Sequence, residues 1–188
     1  MSHIVIISSS VRIKRNSHRV ALYFKKYVED RQLATVEILD LNTYQFPIFN
    51  ERLRLQVNPS AQTLEFAEKI TSSNGVLIVT PEYNGGYPAA LKNVIDLLYN
   101  EWHRKPIAIS TVSDGVFGGS QVITSLQFTL WKMKAWTVPA MFPVPNVQTS
   151  FDENGNPTDK VGTDKRAEGF IKELMWCVEA NAKMNASV

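Results

Sequence analysis

Short apolar runs alternate along the chain with longer stretches that are apolar on one side only. Three runs, Ile4–Ile7, Val76–Val79 and Ile107–Val112, are almost continuously apolar or β-branched, which is typical of strands buried on both faces of a sheet. Residues 34–38 instead alternate between apolar and polar side chains, which predicts an edge strand with one wetter face. A fifth strand is predicted near Trp136–Ala140.

The stretches between and after these strands have helical periodicity. Apolar side chains recur at intervals of three, four and seven positions in four segments, residues 20–28, 91–98, 122–133 and 167–178. The first of these helices is expected to begin at about residue 17. The repeated β–α order predicts a parallel sheet with helices on both faces, and right-handed crossovers make that sheet doubly wound.

Five strands in a chain of 188 residues fit an α/β, flavodoxin-like three-layer sandwich with the strand order 2-1-3-4-5. We expect a single domain over residues 1–188. The loops that follow the strands of such a sheet emerge at one edge, and ligands bind where the winding reverses, between strands 1 and 3. Three segments are therefore predicted to meet, residues 8–17, 80–87 and 113–119.

The first of these loops combines hydroxyl and amide side chains with cations. Ser10, Asn16 and Ser17 offer hydrogen-bonding groups, the expected helix N-terminus favours an anion, and Arg12 adds a planar guanidinium. Neither the glycine-rich dinucleotide fingerprint nor the P-loop pattern occurs here, so a monophosphate is the better match. The alternative is an ordinary helix cap from Asn16 or Ser17 beside solvated cations.

The other two loops carry residues that suit a flat heterocycle. After strand 3, Pro81 fixes one dihedral, residues 84–86 permit positive φ, and Tyr83 can stack on a ring. After strand 4, three glycines leave room beside the backbone, and Ser113 can donate a hydrogen bond. Each loop alone is equally consistent with an ordinary βα turn. Together the three loops predict a mononucleotide site, and FMN is the mononucleotide commonly bound at this place in the fold.

Composition narrows the functional class. The formal charge is +2, from 20 basic and 18 acidic side chains, which is too even a balance for bulk attraction to nucleic acid or membranes. No apolar stretch reaches the roughly 20 residues that span a bilayer, and no secretory signal is visible. We therefore expect a cytoplasmic protein with no nucleic-acid or membrane partner.

Three other features are interpreted as structural. The three histidines lack metal-ligand spacing, so no metal site is expected. The single cysteine, Cys177, lies on the apolar side of the last predicted helix and is expected in the core. Residues 151–157 begin like a calcium loop, but Pro157 stands where the loop requires glycine, so we interpret the segment as a turn.

At these loops the sequence resembles the NADPH-dependent FMN reductase family of flavodoxin-like proteins, which includes azo, quinone and chromate reductases. The resemblance covers about residues 3–180. Its most specific part is similar to the family string T-P-E-Y-N…P…L-K-N-x-I-D and consists here of Thr80–Asn84, Pro88, Leu91–Asn93, Ile95 and Asp96. A second part, from Ser113 through Gly115 to Gly118-Gly119, is similar to S-x-G-x-x-G-G.

The phosphate loop resembles the family pattern G-S-x-R-x-x-S with two departures. Ser9 stands where the family usually has glycine, and two extra residues separate Arg12 from Ser17. The resemblance implies that Ser10, Arg12 and Ser17 hold the FMN phosphate. It also implies that the isoalloxazine ring and ribityl chain are lined by Pro81, Glu82, Tyr83, Asn84 and Gly85, with Ser113 and Gly115 on the far side.

The expected function is therefore an FMN-dependent NAD(P)H oxidoreductase that passes two electrons by ping-pong hydride transfer to a quinone, azo, flavin or metal-oxyanion acceptor. No catalytic side chain is named because the cofactor carries the chemistry, and the sequence does not separate NADPH from NADH. The alternative is a non-catalytic flavodoxin-like electron carrier or redox-sensing module. The net charge argues against a carrier, because carriers usually display an acidic docking face. A weaker third interpretation is a phosphate-ester or nucleotide binder.

The resemblance also implies a homodimer or homotetramer, built partly from the helix that follows the T-P-E-Y-N string. Tyr99 and Trp102, next to that helix, are candidate interface residues. The aromatic loop at residues 44–49 either reaches a partner, borders the flavin or packs on itself as a surface loop.

Overall fold

The computed structural model describes residues 1–186. Its centre is a five-stranded parallel sheet with the order β2-β1-β3-β4-β5. The strands are β1 (His3–Ser8), β2 (Thr35–Asp40), β3 (Gly75–Pro81), β4 (Pro106–Val112) and β5 (Trp136–Val144). The predicted strand order is confirmed, and β2 is an edge strand as its alternating pattern indicated.

Seven α-helices connect or flank these strands in the described part of the chain. They are α1 (Ser17–Asp30), α2 (Leu41–Tyr44), α3 (Ala61–Ser72), α4 (Ala89–Leu97), α5 (Gln121–Lys132), α6 (Val147–Ser150) and α7 (Lys160–Asn185). Two short 3₁₀ turns lie at Leu53–Leu55 and Asn100–Trp102. Helix α3 was not among the helices predicted from the apolar periodicity. Ser60 is the sequence signal for its start, because serine is a favoured N-cap residue. In the structure the Ser60 hydroxyl accepts a hydrogen bond from the Thr63 amide at 3.1 Å.

Each face of the sheet has its own apolar core, which explains the continuously apolar strands. Ile4 and Ile6 of β1 pack with α1 and α7, whereas Val5 and Ile7 pack with α3, α4 and α5. Successive strand residues point to opposite faces, so a strand covered on both sides needs an apolar residue at every position. The predicted three-layer arrangement is thereby confirmed.

Strand β5 is longer than the pattern predicted, since it continues to Val144. Ile107 pairs with Thr137 and Ile109 with Met141, so the register is irregular between these pairs. Pro139 is exposed within this irregular part of an edge strand, a place where proline is tolerated because its missing N–H breaks no ladder bond. The prolines of β5 therefore explain why the sequence pattern predicted too short a strand.

Two structural interpretations of the sequence are confirmed. Cys177 lies on the buried face of α7, in the core, and burial raises the pKa of its thiol. Residues 151–157 form a turn, in which the Asp152 carboxylate accepts hydrogen bonds from the amides of Asn154 at 2.9 Å and Asn156 at 2.8 Å.

Trp102 is not an interface residue. Its side chain is fully buried, and its indole N–H donates to the Ile95 carbonyl oxygen at 3.2 Å. The aromatic loop packs largely on itself and on α3, where the rings of Tyr44 and Phe46 stack at 5.2 Å and both meet Phe66 edge-on.

Within residues 1–186, no helix combines the length and apolar character needed to cross a membrane. No cluster of three or more histidine, cysteine, aspartate or glutamate side chains capable of holding a metal ion occurs in the same part of the chain. The cytoplasmic location stays a prediction.

Candidate functional site

A crevice of about 940 Å³ opens at the carboxyl end of the sheet. It is bordered by all three loops that the topology was expected to bring together. Seven of the predicted site residues line it, Ser10, Arg12, Ser17, Pro81, Glu82, Tyr83 and Ser113. Asn84, Gly85 and Gly115 belong to the same loops but do not line the crevice.

The first two loops are joined by direct contacts. The Ser10 hydroxyl lies 2.7 Å from the Tyr83 hydroxyl, and it accepts a hydrogen bond from the Arg12 amide at 3.4 Å. The Arg12 guanidinium lies 5.6 Å from the centroid of the Tyr83 ring, within the range of a cation–π contact. The residues predicted to hold a phosphate and the tyrosine predicted to meet a ring therefore form one wall.

The start of α1 is not closed by an ordinary cap. Asn16 occupies the N-cap position without a side-chain capping bond. Ser17 is only 3% exposed, and its hydroxyl has no hydrogen-bond partner among residues 1–186. A buried polar group without a partner is costly, and free amides at a helix N-terminus favour anions. Asn16 therefore occupies the N-cap position without capping α1 through its side chain, and a phosphate would suit the Ser17 hydroxyl and the first free amides of the helix.

Ser9 has a similar feature. Its hydroxyl is buried and also finds no partner in the described part of the chain. Its own amide donates to the Val79 carbonyl oxygen at 3.1 Å, which ties the start of the loop to β3. Serine instead of the family's glycine is thus accommodated without loss of the loop's attachment to the sheet.

Positive charge lies along the first wall of the crevice, carried by Arg12, Lys14, Arg15 and Arg19. Arg15 is paired with the carboxylate of Asp40. Arg19 donates to the Phe151 carbonyl oxygen at 2.8 Å. Acidic side chains on the other walls, Glu82, Asp114 and Glu153, keep the crevice as a whole of mixed charge.

His18 lies beside the phosphate loop and is held uncharged. Its Nδ1 is 3.0 Å from the Ser8 hydroxyl and 3.8 Å from a carboxylate oxygen of Asp40. Burial, and then the nearby charge of Arg15, lower its pKa, with only partial opposition from Asp40. A histidine with a lowered pKa is neutral at pH 7, so it adds a polar contact rather than a charge.

The second loop is a tight turn. The amide of Tyr83 donates to the Gly86 carbonyl oxygen at 2.8 Å, and the Gly86 amide donates back at 3.1 Å. The two central residues, Asn84 and Gly85, have φ of 53° and 80°, which is the signature of a type I′ turn. The predicted positive φ is confirmed at these two positions, and the turn fixes Tyr83 at the mouth of the crevice.

The third loop is closed by its own hydrogen bonds. Ser113 donates its hydroxyl hydrogen to the Gly115 carbonyl oxygen at 2.9 Å. A Cβ atom on Gly118 would lie 3.0 Å from Cβ of Pro143, and one on Gly119 would lie 3.2 Å from the Val112 amide nitrogen. These two glycines therefore serve close packing, which was the alternative interpretation of the loop. A Cβ on Gly115 would have its nearest neighbour at 3.9 Å, so this glycine adjoins open space.

The segment after β5 forms a fourth wall, which no sequence pattern predicted. Val147, Gln148 and Glu153, from the segment after β5, line the crevice, and Gln148 donates to the Asp114 carboxylate at 2.9 Å. No motif marks this segment. The topology contains the signal, because the chain leaving β5 emerges at the same edge as the other three loops.

Part of the T-P-E-Y-N…L-K-N string is structural in this chain. The side-chain amide of Asn93 donates to the Pro47 carbonyl oxygen at 2.8 Å and accepts from the Phe49 amide at 2.6 Å. Asn93 therefore fastens the aromatic loop to α4 and does not line the crevice.

A second cavity, of about 990 Å³, lies between α1 and α7. Tyr27, Ile171 and Met175 contribute to its lining, and no predicted site residue borders it. The unpartnered hydroxyl and the uncapped helix belong to the crevice at the sheet edge, so that crevice is the candidate site.

The chain is similar to proteins of known function. Residues 2–149 match the family described as NADPH-dependent FMN reductase. The NAD(P)H-dependent FMN reductase LOT6 of Saccharomyces cerevisiae is 35% identical over 142 residues, which is 69% of this chain and 73% of that protein. A quinone reductase of Pseudomonas putida is 32% identical over 188 residues, 95% of each chain.

A solved structure extends the similarity to the whole fold. FerB of Paracoccus denitrificans, described as a flavoenzyme NAD(P)H:(acceptor) oxidoreductase, superposes with a TM-score of 0.77 at 27% identity and covers 96% of this chain and 99% of its own. The profile match spans more than half of the chain and includes the first three walls of the crevice. The chain therefore belongs to the NADPH-dependent FMN reductase family, a family of oxidoreductases that use FMN and NAD(P)H.

Proposed function

We propose that this chain binds FMN in the crevice and takes two electrons from NADPH or NADH. It then passes them to a quinone, azo compound, flavin or metal oxyanion in a second half-reaction, so that the two substrates bind in turn. One observation carries the proposal: the buried Ser17 hydroxyl, at the start of α1 and in the crevice that Tyr83 also lines, has no partner among residues 1–186.

The residues of the first loop would hold the phosphate. Ser10 and Ser17 supply hydroxyls, Arg12 supplies a charged donor, and the first amides of α1 point the same way. The Ser17 hydroxyl has no partner among residues 1–186, so it would be available to donate to a phosphate oxygen. The second and third loops would line the ring and ribityl chain with Pro81, Glu82, Tyr83, Asn84, Gly85, Ser113 and Gly115.

When bound, FMN supplies the hydride chemistry, and the chain supplies orientation. Glu82 is held by the Gln121 amide, which donates to its carboxylate at 3.3 Å. His18 lies 3.0 Å from the Ser8 hydroxyl through its Nδ1, and the hydride step itself requires no acid or base from the chain. We accordingly assign no catalytic side chain.

The size of the crevice supports binding of the two substrates in turn. Its volume of about 940 Å³ is near the top of the usual range for ligand pockets, about 300–1,000 Å³. A mononucleotide leaves part of this space open, and a nicotinamide or an acceptor can then enter the same opening beside the ring.

Anaerobic stopped-flow reduction tests this function. We expect the FMN-loaded protein to lose its yellow absorbance within one turnover time after mixing with NADPH, NADH or both, and to regain it on mixing with a quinone, an azo dye or chromate. Double-reciprocal plots of initial rate against nicotinamide concentration, measured at several acceptor concentrations, should be parallel lines. Intersecting plots would contradict alternate binding, and a yellow protein that no nicotinamide reduces would favour the electron-carrier alternative.

We also propose a homodimer or homotetramer that uses the outer face of α5. Phe128 and Trp131 are 63% and 65% exposed on this helix, and their ring centroids lie 5.8 Å apart. Phe117, just before the helix, is 78% exposed. Adjacent exposed aromatic side chains are typical of interaction surfaces, and α5 lies in the same layer as α4, where the family resemblance implies the interface.

Replacing Phe128 and Trp131 together by serine should shift the protein to monomers. The reason is that two large aromatic side chains provide much of the apolar area on this face. Sedimentation velocity measures the result. Trp176→Ser is the matched control, because Trp176 is 61% exposed but lies on α7, on the opposite side of the sheet. An unchanged assembly in the double variant, or dissociation of the control, would contradict the placement.

A further inference from the structure

Arg15 connects two parts of the phosphate loop region. One guanidinium nitrogen donates to the Ser10 carbonyl oxygen at 2.8 Å, and both terminal nitrogens bind the two oxygens of the Asp40 carboxylate. The Arg15 and Asp40 side chains are 15% and 17% exposed. A partly buried, two-pronged pair of this kind is geometrically specific, so it fixes the position of the Ser10 backbone.

Asp40 is a rigid anchor for this pair. It is the last residue of β2, in parallel register with Ser8 at the end of β1. It is also the N-cap of α2 and accepts from the Asn42 amide at 3.0 Å. Burial alone would raise the pKa of the Asp40 carboxyl, but the hydrogen bonds from Arg15 and Asn42 outweigh it and the pKa is lowered. The carboxylate is therefore charged throughout the neutral range.

We propose that Arg15 and Asp40 are positioning residues, a clamp that holds the phosphate loop in the conformation that presents Ser10, Arg12 and Ser17 to FMN. This inference rests on the proposed function. The loop is two residues longer between Arg12 and Ser17 than the family pattern, and a longer loop costs more entropy to order. Arg15 lies in this lengthened part and ties it to the sheet, which offsets that cost before FMN arrives.

The competing interpretation is that Arg15 itself binds the phosphate and that Asp40 only holds it ready. The two interpretations predict opposite results for Asp40→Asn. If Arg15 is a clamp, loss of the carboxylate charge loosens the loop and weakens FMN binding. If Arg15 is a phosphate ligand, the same change frees its positive charge and strengthens FMN binding.

The test titrates FMN-free full-length protein with FMN and, separately, with riboflavin, which lacks the phosphate. We expect Arg15→Lys and Asp40→Asn each to weaken FMN binding about 10- to 100-fold, as loss of a charge-assisted hydrogen bond does, and to change riboflavin binding less than about twofold. Arg15→Lys keeps the positive charge but cannot bind both carboxylate oxygens of Asp40 through two parallel hydrogen bonds. Lys172→Gln, on the exposed face of α7, is the matched control for a lost positive charge and should change neither affinity.

Amide hydrogen exchange on the same FMN-free proteins provides a second readout. Exchange at residues 9–17 should accelerate in both clamp variants, while exchange in β3 and β4 stays at the wild-type rate and shows that the fold is intact. Unchanged exchange at residues 9–17, wild-type FMN affinity in Arg15→Lys, or tighter FMN binding in Asp40→Asn would each overturn the clamp. Failure of the wild-type protein to bind FMN would overturn the proposed function instead, and the exchange data would still decide whether the clamp orders the loop.

Discussion

Ser17→Asp is expected to weaken FMN binding by more than about 100-fold. The Ser17 side chain is buried at the first turn of α1, facing the crevice, so a carboxylate there would lie against the phosphate dianion. Placing like charges together in a poorly solvated site costs several kcal/mol, and about 2.8 kcal/mol corresponds to a factor of 100. Isothermal titration of the FMN-free protein measures the loss.

Two controls separate this electrostatic effect from damage to the fold. Riboflavin has no phosphate, so its affinity for the Asp variant should stay close to that for the wild type. Ser17→Ala should weaken FMN binding only about 10-fold, because it removes one hydrogen bond to a charged group. It should leave the free energy of unfolding unchanged or slightly higher, since the hydroxyl it removes has no partner within the described chain. Wild-type FMN affinity in Ser17→Asp would show that the phosphate lies elsewhere.

Gly155→Ala is expected to lower the free energy of unfolding by about 2–5 kcal/mol. Gly155 has φ of 79°, and a Cβ there would lie 2.6 Å from the Arg19 carbonyl oxygen and 2.8 Å from the Tyr23 amide nitrogen. The left-handed conformation costs an L-residue about 1–2 kcal/mol, and forced overpacking costs about 1–3 kcal/mol more. Urea denaturation monitored by circular dichroism gives the difference.

Gly169→Ala is the matched control for this change. Gly169 lies on an exposed face of α7, and a Cβ there would meet nothing within 4 Å. Alanine in a helix interior is favoured over glycine by about 0.5–1 kcal/mol, so this variant should be more stable than the wild type. Equal effects of the two substitutions would contradict the close packing of the 151–157 turn against α1.

Much of the fold follows from the sequence because local patterns report burial. The apolar runs at Ile4–Ile7 and Val76–Val79 identify central strands, since only a strand covered on both faces needs an apolar residue at every position. The alternating residues 34–38 identify an edge strand in the same way. Helix α3 and the second half of β5 were not delimited, in β5 because Pro139 and Pro143 imitate a break that the irregular edge pairing tolerates.

Only part of the candidate site could be predicted from the sequence. The motif residues indicated which loops meet, and the positive φ at Asn84 and Gly85 followed from their types. The sequence did not show which serine hydroxyls lack a partner or which cations are paired, because these features depend on residues distant in sequence. From the sequence, Ser17 is an ordinary helix-cap candidate, and only the structure shows that its hydroxyl has no partner among residues 1–186. Arg15 is one of several cations in the loop, and only the structure shows that it is paired with Asp40 at the end of β2.

By itself, the sequence determined the layer order and the sheet edge at which three loops meet, and it predicted the chemical class of ligand, since these depend on periodicity and on residue types within single loops. Tertiary structure alone decided which cation is neutralised, which buried hydroxyls have no partner among residues 1–186, and that a fourth segment after β5 completes the crevice. Those features arise where segments separated by many residues pack together, and the energy of a buried charge or hydroxyl is set by whatever lies within a few ångströms of it.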